Sequence, residues 1–374
     1  MDTRVFKITD PKADQAMLTE AASLLDSGAL VAFPTETVYG IGCRIADDSL
    51  RRLDQVKGRN VGKRYTLHIG QKTDAAKYVP ALSLRVRKLI RNAWPGPLTM
   101  VFVLTDEQAA LQESRLEREI FRNLYVDNSI GIRCPNHPVA SALLQLTRNA
   151  IVAPSANRSG QEPAVDAAGV LAYFSGQIDA LLDSGPSKHK VSSTVAKIDS
   201  TGITILRRGA YSHSQLQTLS AVTLLFVCTG NTCRSPMAEA IFSKALAEKL
   251  KCRVDQLEEL GYKMFSAGTM SMLGFPASPE AVTACASRGA DVSQHRSRQL
   301  TRELIETSDL IFCMAGDHCK QVKRLFPEAA DRCFMLAADD NEIPDPVGQS
   351  QQVFDSCAAA IENAVQKRIS ELTL

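Results

Sequence analysis

Several common sequence signatures are missing from this chain of 374 residues, and each missing signature argues against a class of protein. No apolar run approaches the ~18 residues that a membrane span requires. The opening residues, MDTRVFKITD, mix acidic and basic side chains and contain no apolar segment, so we expect no signal peptide. The chain also lacks the Gly-x4-Gly-Lys-Ser/Thr motif, which excludes a P-loop ATPase.

An excess of charge of one sign is missing too. The formal net charge is only +2, so charge alone indicates no general affinity for nucleic acid or for a membrane surface. The ten cysteines form no Cys-x-x-Cys pair, and no metal site is expected among them. Scattered thiols of this kind are typical of a reducing compartment, which predicts a cytoplasmic protein.

The length and composition predict two globular domains. Apolar residues make up 45% of the chain and charged residues 22%, which suits sizeable cores, and 374 residues exceed one ordinary domain. The stretch YSHSQLQTLS (211–220) is polar, rich in serine and free of long apolar runs. We therefore predict a first domain at 1–212, a linker at 213–221 and a second domain at 222–374.

The hydrophobic patterns predict an α/β fold of a different kind in each domain. In the first domain, strands such as LTMVFVL (98–104) and SIGIRCP (129–135) alternate irregularly with helices, which favours a twisted, mixed α/β sheet. In the second domain, strands and helices alternate regularly, which is typical of a doubly wound parallel sheet. Such sheets bind ligands at the carboxyl ends of their strands.

A short turn follows the first strand of the second domain, in the sequence VCTGNTCRS. Ser235-Pro236 is a typical helix start, with serine at the N-cap. A loop at a helix N-terminus binds anions through its N–H groups, and Arg234 adds a planar guanidinium suited to phosphate. The Cys228 thiol is expected to have a lowered pKa there and to attack phosphorus. Asp345, held by the proline after it, can supply a proton to the leaving group.

These motifs resemble the low-molecular-weight protein phosphatase family over about residues 222–374, and the resemblance includes FSAG at 265–268. It implies that Cys228 is the nucleophile, that Arg234 binds phosphate and that Asp345 is the general acid. It implies no cofactor for this domain. A buried structural cysteine pair in a helix-entry turn is the alternative, and it leaves the matching positions of the arginine and the acid without an explanation.

The resemblance also implies roles within the phosphate loop, which consists of Thr229, Gly230, Asn231, Thr232, Cys233 and Ser235. Asn231 would brace the loop, Ser235 would stabilise the thiolate, and Cys233 would form a reversible disulfide with the oxidised nucleophile. Threonine at 232 resembles the protein-arginine phosphatase branch, whereas tyrosine-directed members carry isoleucine. A threonine hydroxyl can accept a hydrogen bond from a guanidinium, so phosphoarginine is the expected substrate. Val347 departs from the aromatic residue of both branches, and a protein-tyrosine phosphatase is the alternative.

The first domain carries several short polar motifs at strand edges. They are PTETVYG, VKGR, LHIG, IRCP, APSANRSG, SSTV and LRRG. Several fixed cations suit an anionic ligand such as a nucleoside triphosphate, and hydroxyls and amides can orient a second polar substrate. No cysteine or serine in these motifs has a paired histidine base, so catalysis would depend on positioning and charge stabilisation.

Together with WPGPLT (94–99), these motifs resemble the YrdC-domain family of threonylcarbamoyl-adenylate synthases over about residues 10–212. The resemblance implies condensation of L-threonine, bicarbonate and ATP, with Mg²⁺, to threonylcarbamoyl-adenylate and diphosphate. The product would pass to the tRNA threonylcarbamoyl-transferase machinery. The implied residues on the threonine side are Thr35, His68, Arg133 and Ser193. Those on the ATP side are Lys57, Arg59, Ser155, Asn157 and Arg207.

The sequence departs from the YrdC-domain family at one position, and it allows an alternative in which one half has no catalytic activity. Asn60 replaces the proline that usually follows KGR in the family, so Lys63 and Arg64 are candidates for additional phosphate ligands. One half of the chain could be a regulatory or RNA-binding module without catalysis, although no basic stripe interleaved with aromatic residues supports RNA binding. The other cysteines are expected to be packing or surface residues: Cys43, Cys134, Cys252, Cys285, Cys313, Cys319, Cys333 and Cys357.

Overall fold

The computed structural model describes residues 2–59, 64–199, 202–270, 272–339 and 341–372. The strands are β1 (Arg4–Lys7), β2 (Val31–Phe33), β3 (Gly40–Arg44), β4 (Thr66–His68), β5 (Leu98–Val103), β6 (Ser129–Arg133), β7 (Ile151–Val152), β8 (Ala180–Asp183), β9 (Thr194–Asp199), β10 (Gly202–Arg207), β11 (Val222–Cys228), β12 (Tyr262–Gly268), β13 (Leu310–Cys313) and β14 (Cys333–Met335).

The helices lie between these strands and after the last one. They are α1 (Gln15–Asp26), α2 (Asp47–Lys57), α3 (Leu84–Ala93), α4 (Asp106–Arg115), α5 (Arg118–Leu124), α6 (Pro138–Leu146), α7 (Ala167–Phe174), α8 (His213–Ser220), α9 (Arg234–Leu250), α10 (Pro279–Ala286), α11 (Arg302–Thr307), α12 (Gly316–Leu325) and α13 (Gln351–Glu371). Short 3₁₀ helices cover Lys72–Lys77, Val254–Gln256 and Pro327–Arg332. Across the described ranges, no helix combines the length and the apolar character needed to cross a bilayer.

The chain divides into two compact units, Met1–Ser220 and Ala221–Leu374. Most of the stretch expected from the sequence to be a linker is helix α8, which belongs to the first unit. Leu216 of this helix is fully buried, and its last turn accepts hydrogen bonds from α3, where Asn92 Nδ2 donates to the Leu219 carbonyl at 2.8 Å.

The first unit is built on one mixed sheet, as the irregular sequence pattern predicts. Its described strands follow the order β1-β8-β2-β3-β7-β4-β6-β5-β9-β10 and pair both parallel and antiparallel. Apolar side chains on both faces form the core, with helices packed over them. The register aligns His68 of β4 with Arg133 of β6, and Arg133 with Thr99 of β5. Polar side chains thus form a row across adjacent strands within an otherwise apolar sheet.

The second unit contains a parallel sheet in the order β12-β11-β13-β14, which confirms the predicted doubly wound type. Its central strand, β11, is almost entirely buried. The rings of Phe226, Phe242 and Phe312 cluster against one another, with centroids 5.3–5.9 Å apart. Cys228 ends β11 beside Gly268 of β12, so the cysteine lies at the carboxyl edge of the sheet, where ligands are expected.

Helix α9 begins at Arg234, earlier than the sequence predicts, and Cys233 occupies the N-cap position. Pro236 is therefore the third helical residue. Proline is tolerated there because the N–H groups of a first helical turn have no intrahelical acceptor. Ser235, expected to cap the helix, instead directs its hydroxyl to the sulfur of Cys228 at 3.0 Å.

Candidate active sites

One cavity of about 290 Å³ in the first unit is lined by all nine residues that the resemblance to the YrdC-domain family implies. These lining residues are Thr35, Lys57, Arg59, His68, Arg133, Ser155, Asn157, Ser193 and Arg207. Arg64 also lines it, whereas Lys63 lies outside the described residues. Among described residues the lining contains five cations and no carboxylate, so the cavity is electrostatically suited to anions.

Arg133 is anchored beneath the cavity by a buried ion pair. Its guanidinium contacts Glu36 at 3.0 Å and donates to the hydroxyls of Thr35 at 3.3 Å and Thr37 at 2.6 Å. Both charged side chains are about 95% buried or more. The other Glu36 oxygen accepts the N–H of Asn136 at 3.1 Å. The carboxylate and hydroxyls of PTETVYG therefore fix the orientation of Arg133. Such a side chain loses less conformational entropy on binding a ligand than one that is free to rotate.

His68 is held in its neutral form next to Arg133. Burial first, and the charge of Arg133 second, lower the pKa of His68 to about 3. Its Nδ1 lies 3.1 Å from the carbonyl oxygen of Thr66, and because a carbonyl can only accept, Nδ1 carries the proton. The Nε2 lone pair is thus the acceptor of this ring, and it can receive a hydrogen bond from a ligand amine or hydroxyl.

Lys57 organises the loop that contains Ser155 and Asn157. Its ammonium, on a side chain at the end of α2 that is almost fully buried, donates to the carbonyl of Asn157 at 2.6 Å and to that of Ser155. The Asn157 amide in turn donates to the carbonyls of Arg158 and Gln161, both at 2.8 Å. The motifs KGR and PSANRSG, distant in sequence, therefore form one cationic wall of the cavity.

Arg207 and Ser193 line the same cavity and contact each other. Arg207 donates to the carbonyl of Ser193 at 2.9 Å and to its hydroxyl at 3.0 Å, and the same hydroxyl lies 3.1 Å from that of Thr99. A Cβ at Gly209 would lie 2.4 Å from backbone atoms of residues 192–194, so only glycine permits this close approach. Arg59 stacks on the Tyr65 ring with 4.7 Å from guanidinium carbon to centroid.

In the second unit, the residues after β11 wrap around the sulfur of Cys228. The N–H of Asn231 donates to this sulfur at 3.2 Å, and the Ser235 hydroxyl lies 3.0 Å from it. Asn231 Nδ2 donates to the oxygen of Ser235 and to that of Ser266, both at 2.9 Å. When Cys228 is ionised its sulfur can only accept, so the Ser235 hydroxyl donates to the thiolate.

Asn231 is the brace of the loop, at the left-handed φ of 55° that asparagine tolerates. Its side-chain oxygen accepts the N–H of Arg298 at 2.8 Å, and its carbonyl lies 2.7 Å from Nε2 of His295. A Cβ on Gly268, which ends FSAG, would lie 2.7 Å from the carbonyl of Thr229. Glycine at 268 therefore lets β12 pack directly against the loop.

The pKa of Cys228 corrects one sequence-based expectation. Burial raises the pKa of this thiol above its usual range, because a charged sulfur would lose its hydration. Hydrogen bonds from Ser235 and Asn231 and the charge of Arg234 act in the opposite direction. The expected lowering of the pKa by the loop is thus present but is outweighed by burial. The thiolate population depends on those three groups.

Arg234 joins the loop to the candidate acid. Its guanidinium forms an ion pair with Asp345 and donates to the carbonyl of Ile343 and to the hydroxyl of Thr229, both at 3.3 Å. The arginine side chain is 7% exposed, whereas that of Asp345 is 42% exposed. The carboxylate is thus at the mouth of the site, and the guanidinium lies below it.

The remaining loop side chains have partners of their own. The Cys233 sulfur lies 3.5 Å from the Ser278 hydroxyl and 3.6 Å from that of Thr232. The Thr232 side chain is half-buried, and Val347 is 64% exposed.

Four residues of this site escaped the sequence reasoning. Ser266, His295 and Arg298 hold Asn231, and Nε2 of His318 lies 3.0 Å from the hydroxyl of Thr229. Burial, and then Arg234, lower the pKa of His318, so this ring is neutral as well. Of these four, only Ser266 could have been identified from the sequence, because it lies within the motif FSAG. The others come from loops and helices whose position depends on the folded sheet.

Two family models match the chain, one over each unit. The model Sua5_yciO_yrdC, described as "Telomere recombination", matches residues 23–209. The model described as "Low molecular weight phosphotyrosine protein phosphatase" matches residues 223–373.

Similar proteins divide between the two units in the same way. The "Threonylcarbamoyl-AMP synthase" of Pyrococcus abyssi is 30% identical over 198 residues, which are 53% of this chain and 55% of that protein. The chain thus spans about half the length of this relative. The "Probable low molecular weight protein-tyrosine-phosphatase EpsP" of Ralstonia solanacearum is 35% identical over 144 residues, 38% of this chain and 90% of that protein. A solved structure of a P. abyssi Sua5 variant has a TM-score of 0.51 at 21% identity, covering 72% of this chain and 92% of that one, and it supports the fold alone.

Proposed function

The chain belongs to the Sua5/YciO/YrdC family through its first unit and to the low molecular weight phosphatase family through its second, and on that premise we propose that it is a bifunctional enzyme. The first unit makes threonylcarbamoyl-adenylate and diphosphate from L-threonine, bicarbonate and ATP, for transfer to tRNA by the tRNA threonylcarbamoyl-transferase machinery. The second unit hydrolyses phosphorylated protein side chains. All ten cysteines are unpaired thiols, which supports a reducing, cytoplasmic setting.

One observation supports the synthase most strongly. The nine residues that the family resemblance implies for threonine and ATP all line one cationic cavity. Its lining suits two substrates. The cations Lys57 and Arg59 would neutralise phosphate oxygens of ATP, while Arg133 would bind the carboxylate of threonine, with the neutral His68 as an acceptor. Fixed charges at set positions lower the barrier by orienting the carbamate against the α-phosphate and stabilising the charge that develops on it.

The cavity suits Mg²⁺ only when the ion binds together with ATP. Mg²⁺ in proteins usually binds one or two carboxylates together with substrate phosphates, and the described lining offers hydroxyls rather than carboxylates. We therefore propose that Mg²⁺ would enter together with ATP and would supply charge neutralisation to its phosphates, with hydroxyls such as that of Ser155 available as ligands.

Arg207 provides a test of the synthase with a matched control. Arg207→Ala removes a cation that lines the cavity, whereas the neighbouring Arg208 does not line it. Release of diphosphate by the full chain, dependent on threonine and bicarbonate, should fall strongly in Arg207→Ala and stay near the wild-type rate in Arg208→Ala. Equal rates in the two variants would reject the assignment of this cavity.

For the second unit, we propose a phosphatase that forms a cysteinyl-phosphate. The Cys228 thiolate attacks phosphorus, the P–O or P–N bond to the leaving group breaks, and Asp345 gives its proton to the departing atom. Water then attacks the cysteinyl-phosphate, Asp345 takes its proton, and inorganic phosphate and the thiolate are released. Arg234 and the loop N–H groups hold the phosphoryl oxygens in both steps.

The ion pair between Arg234 and Asp345 explains how the site prepares for this reaction. In the structure, Asp345 is the anion that Arg234 contacts. A bound phosphoryl group, with more negative charge, would replace Asp345 on the guanidinium. The carboxylate, no longer paired with a cation, would take up a proton from solvent and lie at the mouth, on the side of the leaving group. The guanidinium of Arg234 would thus exchange the carboxylate of Asp345 for the phosphoryl group without moving.

Phosphoarginine is our proposed side-chain substrate, and it depends on Thr232. The hydroxyl of this residue contacts only the weakly bonding Cys233 sulfur, at 3.6 Å, within the described contacts, so it has acceptor capacity for a guanidinium. A hydrogen bond to a charged group contributes about 1.5–3 kcal/mol, which corresponds to about 10–150-fold discrimination between substrates. Phosphotyrosine is the second candidate, because the relative EpsP is named a tyrosine phosphatase.

The ratio of kcat/KM for a phosphoarginine and a phosphotyrosine peptide of the same sequence decides between these substrates. The wild type should prefer phosphoarginine, and Thr232→Ile should shift the ratio toward phosphotyrosine. Thr232→Ser keeps the hydroxyl and serves as the control, with the preference retained. A wild-type preference for phosphotyrosine that Thr232→Ile leaves unchanged would reject phosphoarginine, while the phosphatase itself is tested by loss of both activities in Cys228→Ser.

A further inference from the structure

Three cysteines outside the phosphate loop meet on one face of the parallel sheet of the second unit. Cys313 ends β13 and is the register neighbour of Met335, which ends β14. Cys333 begins β14, two residues before Met335, and side chains two apart in a strand share a face. Helix α12 covers this face and adds Cys319. Two adjacent strands and one helix thus bring four sulfur atoms together.

The distances among these sulfurs fit a single soft cation. The three cysteine sulfurs lie within 4.8 Å of one another, and Cys313 and Cys333 are 3.7 Å apart. Three sulfurs bound to one cation at ~2.3 Å would be separated by ~3.7–4.0 Å, so the pair already matches and the third needs only a small shift. The sulfur of Met335 lies 3.8 Å from that of Cys319, at the same spacing.

The ligand types and their surroundings favour Cu(I). Thiolates bind both Cu(I) and Zn²⁺, but Zn²⁺ completes its coordination with further thiolates, imidazoles or carboxylates. This group of three cysteines instead offers the thioether of Met335, which is a ligand for the softer Cu(I). Cys313 and Cys333 are buried among apolar residues that include Ile311 and Val322, so a bound ion would be shielded from water. Cys319 belongs to helix α12 and is half-buried as a residue, whereas all three sulfurs lie within the buried cluster.

We propose that Cys313, Cys319, Cys333 and Met335 form a binding site for one Cu(I) ion, in contrast to the packing role expected for these cysteines from the sequence. Each thiol that binds releases its proton to solvent, and the copper stays in the Cu(I) state throughout. Lys323, one helical turn after Cys319, is a cation that can offset the negative charge of the thiolates.

The test is a competition for Cu(I) between the full-length, fully reduced protein and a chromophoric Cu(I) chelator under anaerobic conditions. All proteins carry Cys228→Ser, so that the thiol pair of the phosphate loop does not compete. This parent protein should retain one equivalent of Cu(I), with sulfur-only coordination in copper X-ray absorption spectra. Cys319→Ser should lose at least tenfold in affinity, while Cys252→Ser, which changes a half-buried cysteine outside the cluster, should match the parent protein.

Met335→Leu separates binding from folding, because leucine preserves apolar volume in the core and removes only the thioether. It should melt near the parent temperature, bind Cu(I) more weakly and lose one sulfur from the coordination shell. Equal Cu(I) retention in Cys319→Ser and Cys252→Ser would overturn the proposal. So would retention of no Cu(I) by the parent protein, or tighter binding of Zn²⁺ than of Cu(I).

Discussion

Replacing Ser235 with alanine would remove a side-chain hydroxyl that lies within hydrogen-bonding distance of the proposed nucleophile, Cys228. The hydroxyl lies 3.0 Å from the sulfur of Cys228, and its own oxygen is occupied by the amide of Asn231. This hydrogen bond lowers the pKa of Cys228 against the larger effect of burial. The variant should therefore raise the pKa of the thiol further and reduce the fraction present as thiolate at any pH below that pKa.

The size of the change follows from the charge on the acceptor. A hydrogen bond to a charged group contributes about 1.5–3 kcal/mol. At 1.36 kcal/mol per pKa unit, its loss should raise the pKa of Cys228 by about 1–2 units. Below the pKa of the thiol, kcat/KM should then fall about 10–100-fold, and the ascending limb of the pH profile should move to higher pH by the same 1–2 units.

Two measurements report this shift independently. The pH profile of kcat/KM with a phosphopeptide reports it through catalysis, and the pH dependence of alkylation of Cys228 by iodoacetamide reports it without substrate. Ser266→Ala is the matched control, because it removes a hydroxyl that contacts Asn231 and not the sulfur. Its shift should be clearly smaller. An alkylation profile of Ser235→Ala that coincides with the wild type would refute the role given to this hydroxyl.

Three other changes test different parts of the two sites. Asp345→Asn should slow hydrolysis most for aryl phosphates with poor leaving groups, because the protonating group is lost, and a uniform loss across leaving groups would contradict the general-acid role. Arg133→Met should destabilise the protein by about 3–5 kcal/mol by leaving Glu36 buried without its partner, and adding Glu36→Gln should restore most of that stability but not diphosphate release. Since the folded-state pKa of His68 is lowered to about 3, stability should be full above about pH 6.5 and decline as the pH falls toward 3. Between pH 7 and 5, His68→Gln should reduce this decline by up to about 2 kcal/mol in urea unfolding followed through the single tryptophan, Trp94, of the first unit.

Much of the second site could be predicted from sequence because its main parts are contiguous. The proposed nucleophile, the arginine and the loop N–H groups lie within eight residues that begin at the end of one strand, and strand–helix alternation places that loop at the sheet edge. The position of Asp345 near this loop could be predicted as well, because the carboxyl ends of parallel strands lie at the same edge of the sheet. The pKa of Cys228 was missed because burial depends on the whole fold, and local motifs report only the opposing hydrogen bonds.

For the first site, the sequence predicts the individual residues that line the cavity. It does not predict the hydrogen bonds and ion pairs that join them. The motifs KGR and PSANRSG name Lys57 and Asn157, yet their hydrogen bond joins residues 100 positions apart. Likewise, Glu36 is visible in PTETVYG, but its partner Arg133 follows from the register of the mixed sheet. Irregular strand spacing does not specify that register. The polar, serine-rich sequence predicts a linker where helix α8 lies, and the structure buries one apolar side chain of this helix deeply, that of Leu216.

The central claim is that one chain contains two catalytic sites that act through separate residues. The most direct test is to assay full-length wild type, Cys228→Ser and Arg207→Ala side by side for both products, with threonylcarbamoyl-adenylate detected by mass spectrometry and phosphate released from a phosphopeptide. The account predicts that the wild type forms both products, that Cys228→Ser forms only the adenylate, and that Arg207→Ala retains only the phosphatase activity. A wild type that forms no adenylate from ATP, threonine and bicarbonate, or a loss of both products in Cys228→Ser, would contradict it.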